Sequence, residues 1–252
     1  IAGDEYEINV MIPASNSPAV YEPSPQQINS LNRSAFYFAI GELGFEKAWL
    51  EKLQANNPEM LVVNTSEGIK LIHDHVHEGE HKHGADPHYW MSPGACFQMA
   101  INMKTALVKV HPENAELYEK NLSDLQKELS AIDFQIRDLL AEVENRNFLI
   151  YHPSLSYYAR DYNLRQIPVE IEGKEPSLMS IKETIQMANE LGLKDVFIQR
   201  QFNAESATTI ARELDGKVIL FDPLSYNWDE EILSLTKIML ETLTSHHEEE
   251  SN

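Results

Sequence analysis

The feature that most limits what this chain can fold into lies between residues 122 and 143. Leu122, Leu125, Leu129, Ile132, Ile136, Leu139 and Val143 recur at spacings of three and four. An apolar stripe with that period places all seven side chains on one face of an α-helix. With Pro112 as its starting signal, the run predicts a helix of roughly 30 residues, about 45 Å long. No second stripe of this length occurs in the chain to wind around it. It therefore reads as a single long helix lying across a folded body, the kind of element that connects two lobes.

Short apolar runs alternate with amphipathic stretches on both sides of this helix. Before it, residues 7–12, 35–40 and 60–64 read as strands, 45–54 as a helix between them, and 93–110 as a further helix. After it, strands are expected over 147–151, 166–170, 195–198 and 217–221. Helices are expected over 155–162, 180–191, 204–213 and 229–244. Strands alternating with helices imply parallel βα units. The expected fold is α/β: an N-terminal lobe over 1–111, the long helix over 112–146, and a C-terminal lobe over 147–252, each lobe built on a parallel sheet.

Composition narrows the function. Forty acidic residues against twenty basic ones give a formal charge of −20. Nothing offers a basic stripe to phosphates, which argues against nucleic acid and against an anionic membrane surface. The charge suits cations, although acidity foremost serves solubility. No apolar run reaches the roughly 18 residues needed to span a bilayer. Cys96 is the single cysteine, so an internal disulfide and a Cys-rich zinc site are both excluded. A metal site would have to be built from His, Asp and Glu.

Three short motifs offer such groups: Asp86-Pro87-His88-Tyr89-Trp90, Tyr151-His152-Pro153 and Phe221-Asp222-Pro223. Each follows a strand or strand-like run, and open α/β sheets gather ligand groups at the carboxyl ends of their strands. The neighbouring prolines restrict the backbone and lower the entropy cost of holding each side chain. Two imidazoles and a carboxylate suit zinc, and also manganese or iron(II). A hydrogen-bonded histidine or an Asp-Pro turn would explain each motif separately; their joint occurrence favours a site. A fourth feature is a polar stretch over residues 71–84 that carries His73, His75, His77, His81 and His83 interleaved with acids. It reads as an auxiliary metal-collecting loop, whose binding should weaken as pH falls through about 6.5 because only neutral imidazole ligates. His246 and His247 read as a solvated tail.

These motifs, with residues 12–27 (IPASNSPAVYEPSPQQ), 85–93 (ADPHYWMSP), 151–164 (YHPSLSYYARDYNL), 172–183 (EGKEPSLMSIKE) and 221–228 (FDPLSYNW), resemble the zinc- and manganese-binding receptors of bacterial ABC metal importers, the cluster A-I solute-binding proteins. The matching segments run in family order along essentially the whole chain. The resemblance implies two pseudo-symmetric α/β lobes joined by one backbone helix, with metal bound between them. It implies that His88, His152 and Asp222 are the second, third and fourth ligands. Histidine at the third position favours zinc over manganese. The implied role is a monomeric extracytoplasmic receptor, periplasmic or lipid-anchored, that passes zinc to a membrane permease and is not an enzyme.

Two positions depart from the family pattern. The family's first ligand is a histidine where this chain has Ala19, so water, Glu22 or a loop histidine would have to complete the site, with a loop histidine or water favoured over Glu22. The family also opens with a strand and a helix that would precede Ile1, roughly 25 residues judged by usual element lengths. The open ligand position keeps a zinc-dependent hydrolase as an alternative. A metal-buffering or adhesion module is the other.

Overall fold

The computed structural model describes residues 1–13, 16, 18, 21–73, 84–170 and 175–244. The chain divides into two compact units, Ile1–Ala131 and Ile132–Asn252. Both are α/β with parallel strands.

In unit 1 the elements follow the order α1 (Pro25–Leu31), β1 (Phe36–Ala39), α2 (Gly44–Asn56), β2 (Leu61–Asn64) and α3 (Pro93–Val110). α1 was not legible as a helix, yet its start is well specified. The Ser24 hydroxyl accepts from the Gln27 backbone, the Gln27 side chain returns to the Ser24 backbone, and Pro25 opens the first turn; this is a reciprocal capping box. β1 and β2 pair in parallel from Phe36–Leu61 to Ala39–Asn64, as a crossover through α2 requires. β1 turns Tyr37 and Ala39 inward, where they join Leu31, Leu43, Phe45, Leu53 and Met60.

The strand expected over residues 7–12 does not form. Its alternation satisfies one face of a strand, but a strand also needs a partner's ladder of hydrogen bonds. β1 and β2 take each other, and Ile8 and Val10 remain 83% and 70% exposed. Met11 and Ile12 instead pack onto the unit 1 core, and the Met11 carbonyl accepts from Gln27 Nε2 at 2.5 Å.

The long helix, α4, spans Ala115–Leu139, 25 residues, or about 37 Å. It is shorter than the stripe suggests. Pro112–Asn114 forms a separate 3-10 turn, and beyond Leu139 the chain turns while Leu140 and Val143 stay buried. Leu122, Leu129, Ile132 and Ile136 are buried as the stripe requires. The division between units falls within α4. Its first half is held by unit 1, through Tyr118 to Glu5 and Asn121 Nδ2 to the Ile1 carbonyl at 2.7 Å. Its second half is held by unit 2, where Asp133 accepts from the Tyr162 hydroxyl at 2.9 Å and Arg137 reaches the Asp161 carbonyl at 3.2 Å.

Unit 2 continues through β3 (Asn147–Ile150), α5 (Ser156–Asp161), β4 (Arg165–Pro168), α6 (Leu178–Glu190), β5 (Val196–Gln199), α7 (Glu205–Glu213), β6 (Val218–Phe221) and α8 (Trp228–Thr244). All four strands are parallel, in the spatial order β4-β3-β5-β6. The inner strands β3 and β5 are almost wholly buried, because helices cover both faces of such a sheet. Leu149, Val196, Ile198, Ala207 and Ile210 form the centre of the core, and each aliphatic side chain of Leu or Ile size buried there contributes about 1.5–3 kcal/mol. The chain leaves β3 toward β4 on one side and β5 toward β6 on the other. The strand order therefore reverses between β3 and β5, the position at which open α/β sheets as a class bind their ligands. Among the described residues no helix is long and apolar enough to cross a membrane.

Candidate metal centre

In unit 1, His88 stands at the start of a 3-10 turn, His88–Met91, entered through Pro87. The preceding backbone is anchored by an antiparallel bridge between His73 and Ala85 and by the Asp86 amide donating to the Ile72 carbonyl at 2.8 Å. The Ala85 amide also donates to Glu42 Oε2 at 3.1 Å. Asp86 Oδ1 accepts the His88 backbone amide at 2.8 Å and lies 2.8 Å from its ring Nδ1. Both side chains are largely buried, at 9% and 12% exposure.

The same turn is fixed from the sheet side. The fully buried Tyr89 donates its hydroxyl to the Ile40 carbonyl at 2.8 Å. Ile40 and Gly41, just after β1, donate their amides to the buried Glu46 carboxylate at 3.1 and 2.6 Å, and Tyr37 adds its hydroxyl at 3.0 Å. Burial pushes the Glu46 carboxyl above the ordinary carboxylate range, with these donors acting in the opposite sense. Trp90 lies against the His88 ring, centroids 5.1 Å apart. The Cys96 thiol donates to the Trp90 carbonyl at 3.1 Å, and burial pushes it up to about 12. It stays protonated at neutral pH, so it supplies no thiolate to a metal.

In unit 2, His152 lies two residues beyond the end of β3 and Asp222 directly follows β6. Both therefore sit at the carboxyl edge of one sheet, His152 beside the point where strand order reverses. His152 Nδ1 is 2.6 Å from Glu170 Oε1, and the Glu170 side chain is only 4% exposed. The Phe202 ring stacks on the imidazole, centroids 4.9 Å apart and planes 24° from parallel. Gln199, the last residue of β5, donates Nε2 to the His152 carbonyl at 2.7 Å and to Ser154 Oγ at 2.5 Å. Asp222 is held through one oxygen. Its Oδ1 accepts Gln201 Nε2 at 2.8 Å and the Leu224 amide at 3.0 Å, while its own amide donates to Glu231 Oε1 at 2.7 Å. The short segment leaving β5 thus braces both residues, Phe202 on His152 and Gln201 on Asp222.

The two histidines share one arrangement. A buried carboxylate engages Nδ1, which fixes the tautomer and orientation of the ring. With Nδ1 committed, Nε2 is the nitrogen a metal would take. Among the described residues there is no group of three or more His, Cys, Asp and Glu placed to hold a metal ion. Unit 2 brings His152 and Asp222 to one edge; His88 belongs to unit 1. His73 is exposed and paired through its backbone to Ala85. His75, His77, His81 and His83 lie outside the described residues, as does Ala19. Glu22 is exposed.

Sequence reasoning missed the supporting groups. Glu170 carried a faint signal, an acid closing an apolar run. Gln199, Gln201 and Phe202 carried none, because their role depends on β5 lying between β3 and β6, which only topology supplies.

A family model for ZnuA, the periplasmic component A of a zinc-uptake complex, matches residues 1–246. The high-affinity zinc uptake system protein ZnuA of Bacillus subtilis (strain 168) is 28% identical over 236 residues, covering 89% of this chain and 73% of that protein. The zinc-binding lipoprotein AdcA of Streptococcus pneumoniae serotype 4 is 25% identical over 244 residues, covering 92% of this chain. The chain spans about half, 48%, of that longer relative. A crystal structure of ZnuA superposes with a TM-score of 0.90 at 36% identity, covering 96% of this chain and 92% of the other. The chain belongs to the ZnuA family of zinc-uptake receptors.

Proposed function

We propose that this chain is an extracytoplasmic receptor that captures zinc and hands it to an ABC-type permease, with His88, His152 and Asp222 as its protein ligands. The observation that carries this reading is the repeated pair of a histidine and a buried carboxylate, His88 with Asp86 and His152 with Glu170. An imidazole oriented this way is prepared for a metal rather than for packing alone. Two such nitrogens and one carboxylate oxygen suit zinc at about 2.0–2.2 Å. Water or a histidine from residues 73–83 supplies the fourth position. The names of the relatives, a zinc uptake protein and a zinc-binding lipoprotein, favour zinc over manganese as cargo. The chain works as a monomer, periplasmic or lipid-anchored, and releases its metal unchanged rather than catalysing a reaction. The histidines of residues 73–83 form weaker, auxiliary sites.

The test is calorimetric titration of chelator-stripped protein with zinc and, separately, with manganese. One tight zinc site, followed by weaker ones, is the expected result. Weak sites alone, or manganese bound more tightly than zinc, would overturn the assignment.

A further inference from the structure

We infer that Gln201 is a specificity-determining residue: by occupying one oxygen of Asp222 it confines that carboxylate to one-oxygen coordination and so favours zinc over manganese. The inference rests on the receptor reading above and deepens it.

The argument starts from lone pairs. A carboxylate oxygen offers two acceptor positions. On Asp222 Oδ1 both are used, one by Gln201 Nε2 at 2.8 Å and one by the Leu224 amide at 3.0 Å. No described residue donates to Oδ2. A metal reaching Asp222 therefore meets one available oxygen, and taking the second would displace a hydrogen bond to a charged acceptor. That limit suits the metals unequally. Zinc is satisfied by four ligands in a tetrahedron, each carboxylate giving a single oxygen. Manganese(II) favours six oxygen-rich ligands, so with few protein groups to draw on it gains from a carboxylate that binds through both atoms.

The two donors differ in origin. The Leu224 amide belongs to the turn that Asp222 itself initiates, a local bond that any Asp-Pro-x sequence can make. The Gln201 bond joins the exit of β5 to the exit of β6 and exists only because those strands are neighbours. Gln201 is therefore the donor that side-chain substitution can remove while the turn keeps its geometry. Phe202, on the same segment, faces His152; removing the Gln201 amide leaves that contact in place.

The experiment compares the stripped full chain with Gln201→Leu and Gln201→Ala. Zinc and manganese dissociation constants come from competition with a chromogenic chelator. Both variants should lose roughly tenfold of the zinc-over-manganese preference, the size expected for one hydrogen bond to a charged group, chiefly through tighter manganese binding. A preference that stays constant while both metals weaken together would overturn the inference and leave Gln201 as a plain positioning residue. Infrared difference spectra of the zinc-loaded wild type give a second reading that needs no variant. A wide splitting between the carboxylate stretches marks one-oxygen binding by Asp222, and a narrow splitting would overturn the inference. A wild type without a tight zinc site would instead refute the receptor reading, and the inference with it.

Discussion

Glu170→Ala is the substitution that most directly tests the proposed role of His152 as a metal ligand. Glu170 Oε1 sits 2.6 Å from His152 Nδ1 on a side chain 4% exposed, so water screens the pair little. Hydrogen bonds to charged groups contribute about 1.5–3 kcal/mol, and loss of a carboxylate behind a ligating histidine costs roughly 10- to 100-fold in metal affinity. The two figures agree, since tenfold corresponds to about 1.4 kcal/mol. Zinc affinity should fall by that factor in chelator competition. Glu170→Gln keeps an acceptor oxygen without the charge, and its loss should stay below about tenfold. Thermal melts of the metal-free proteins separate this effect from damage to the fold. Both variants folded, with zinc bound as tightly as by wild type, would refute the reasoning; Nδ1, not Nε2, would then be the metal's nitrogen.

Three further outcomes follow from the geometry. Excising residues 74–83 and joining the ends with a short turn should remove weak zinc sites in calorimetry and spare the tight one if water completes it; loss of the tight site would identify a histidine of that segment as the fourth ligand. Gly216→Ala should destabilise unit 2 by about 3 kcal/mol or more in urea unfolding, because the added Cβ would sit 2.0 Å from the Lys194 carbonyl oxygen, backbone that cannot step aside; an unchanged midpoint would contradict this. Burial raises the Glu46 carboxyl above its unfolded value, so the folded state holds that proton more tightly. Its contribution is fully present below about pH 4.3 and is lost as pH rises through the folded value. Glu46→Gln cannot ionise, so wild-type stability measured relative to this variant should decline as pH rises above about 4.3; a difference independent of pH would refute the upward shift.

How much of this was legible beforehand depended on whether the signal was local. The stripe from Leu122 to Ile136 announced its helix because helical period and burial coincide on one chain segment, and β3 and β6 fall inside the apolar runs read for them, while β4 starts one residue before its run, at Arg165, and β5 ends one residue after its own, at Gln199. His152 and Asp222 could be placed at strand ends for the same reason. Residues 7–12 show the limit of that logic. Their alternation is as good as that of β1, yet a strand is a relation between two segments, and its partner is not written in the run itself. α1 fails in the opposite sense: seven residues with one buried side chain carry too little periodicity to read, while Ser24 and Gln27 specify its start through hydrogen bonds.

The candidate site divides along the same line. The residues with metal-binding chemistry are recognisable one by one, since few side chains ligate. What prepares them is not. Glu170 reaches His152 because β4 lies beside β3, and Gln201 and Phe202 reach Asp222 and His152 because β5 lies between β3 and β6. Each of these contacts crosses between elements 18 to 50 residues apart. Their chemistry is generic, an acid, an amide and a ring, and gains its meaning only from the strand order. If His88, His152 and Asp222 are the ligands, as proposed, a change of metal preference could arise at Gln201 or Glu170 with all three retained, and a comparison restricted to those three would pass over it.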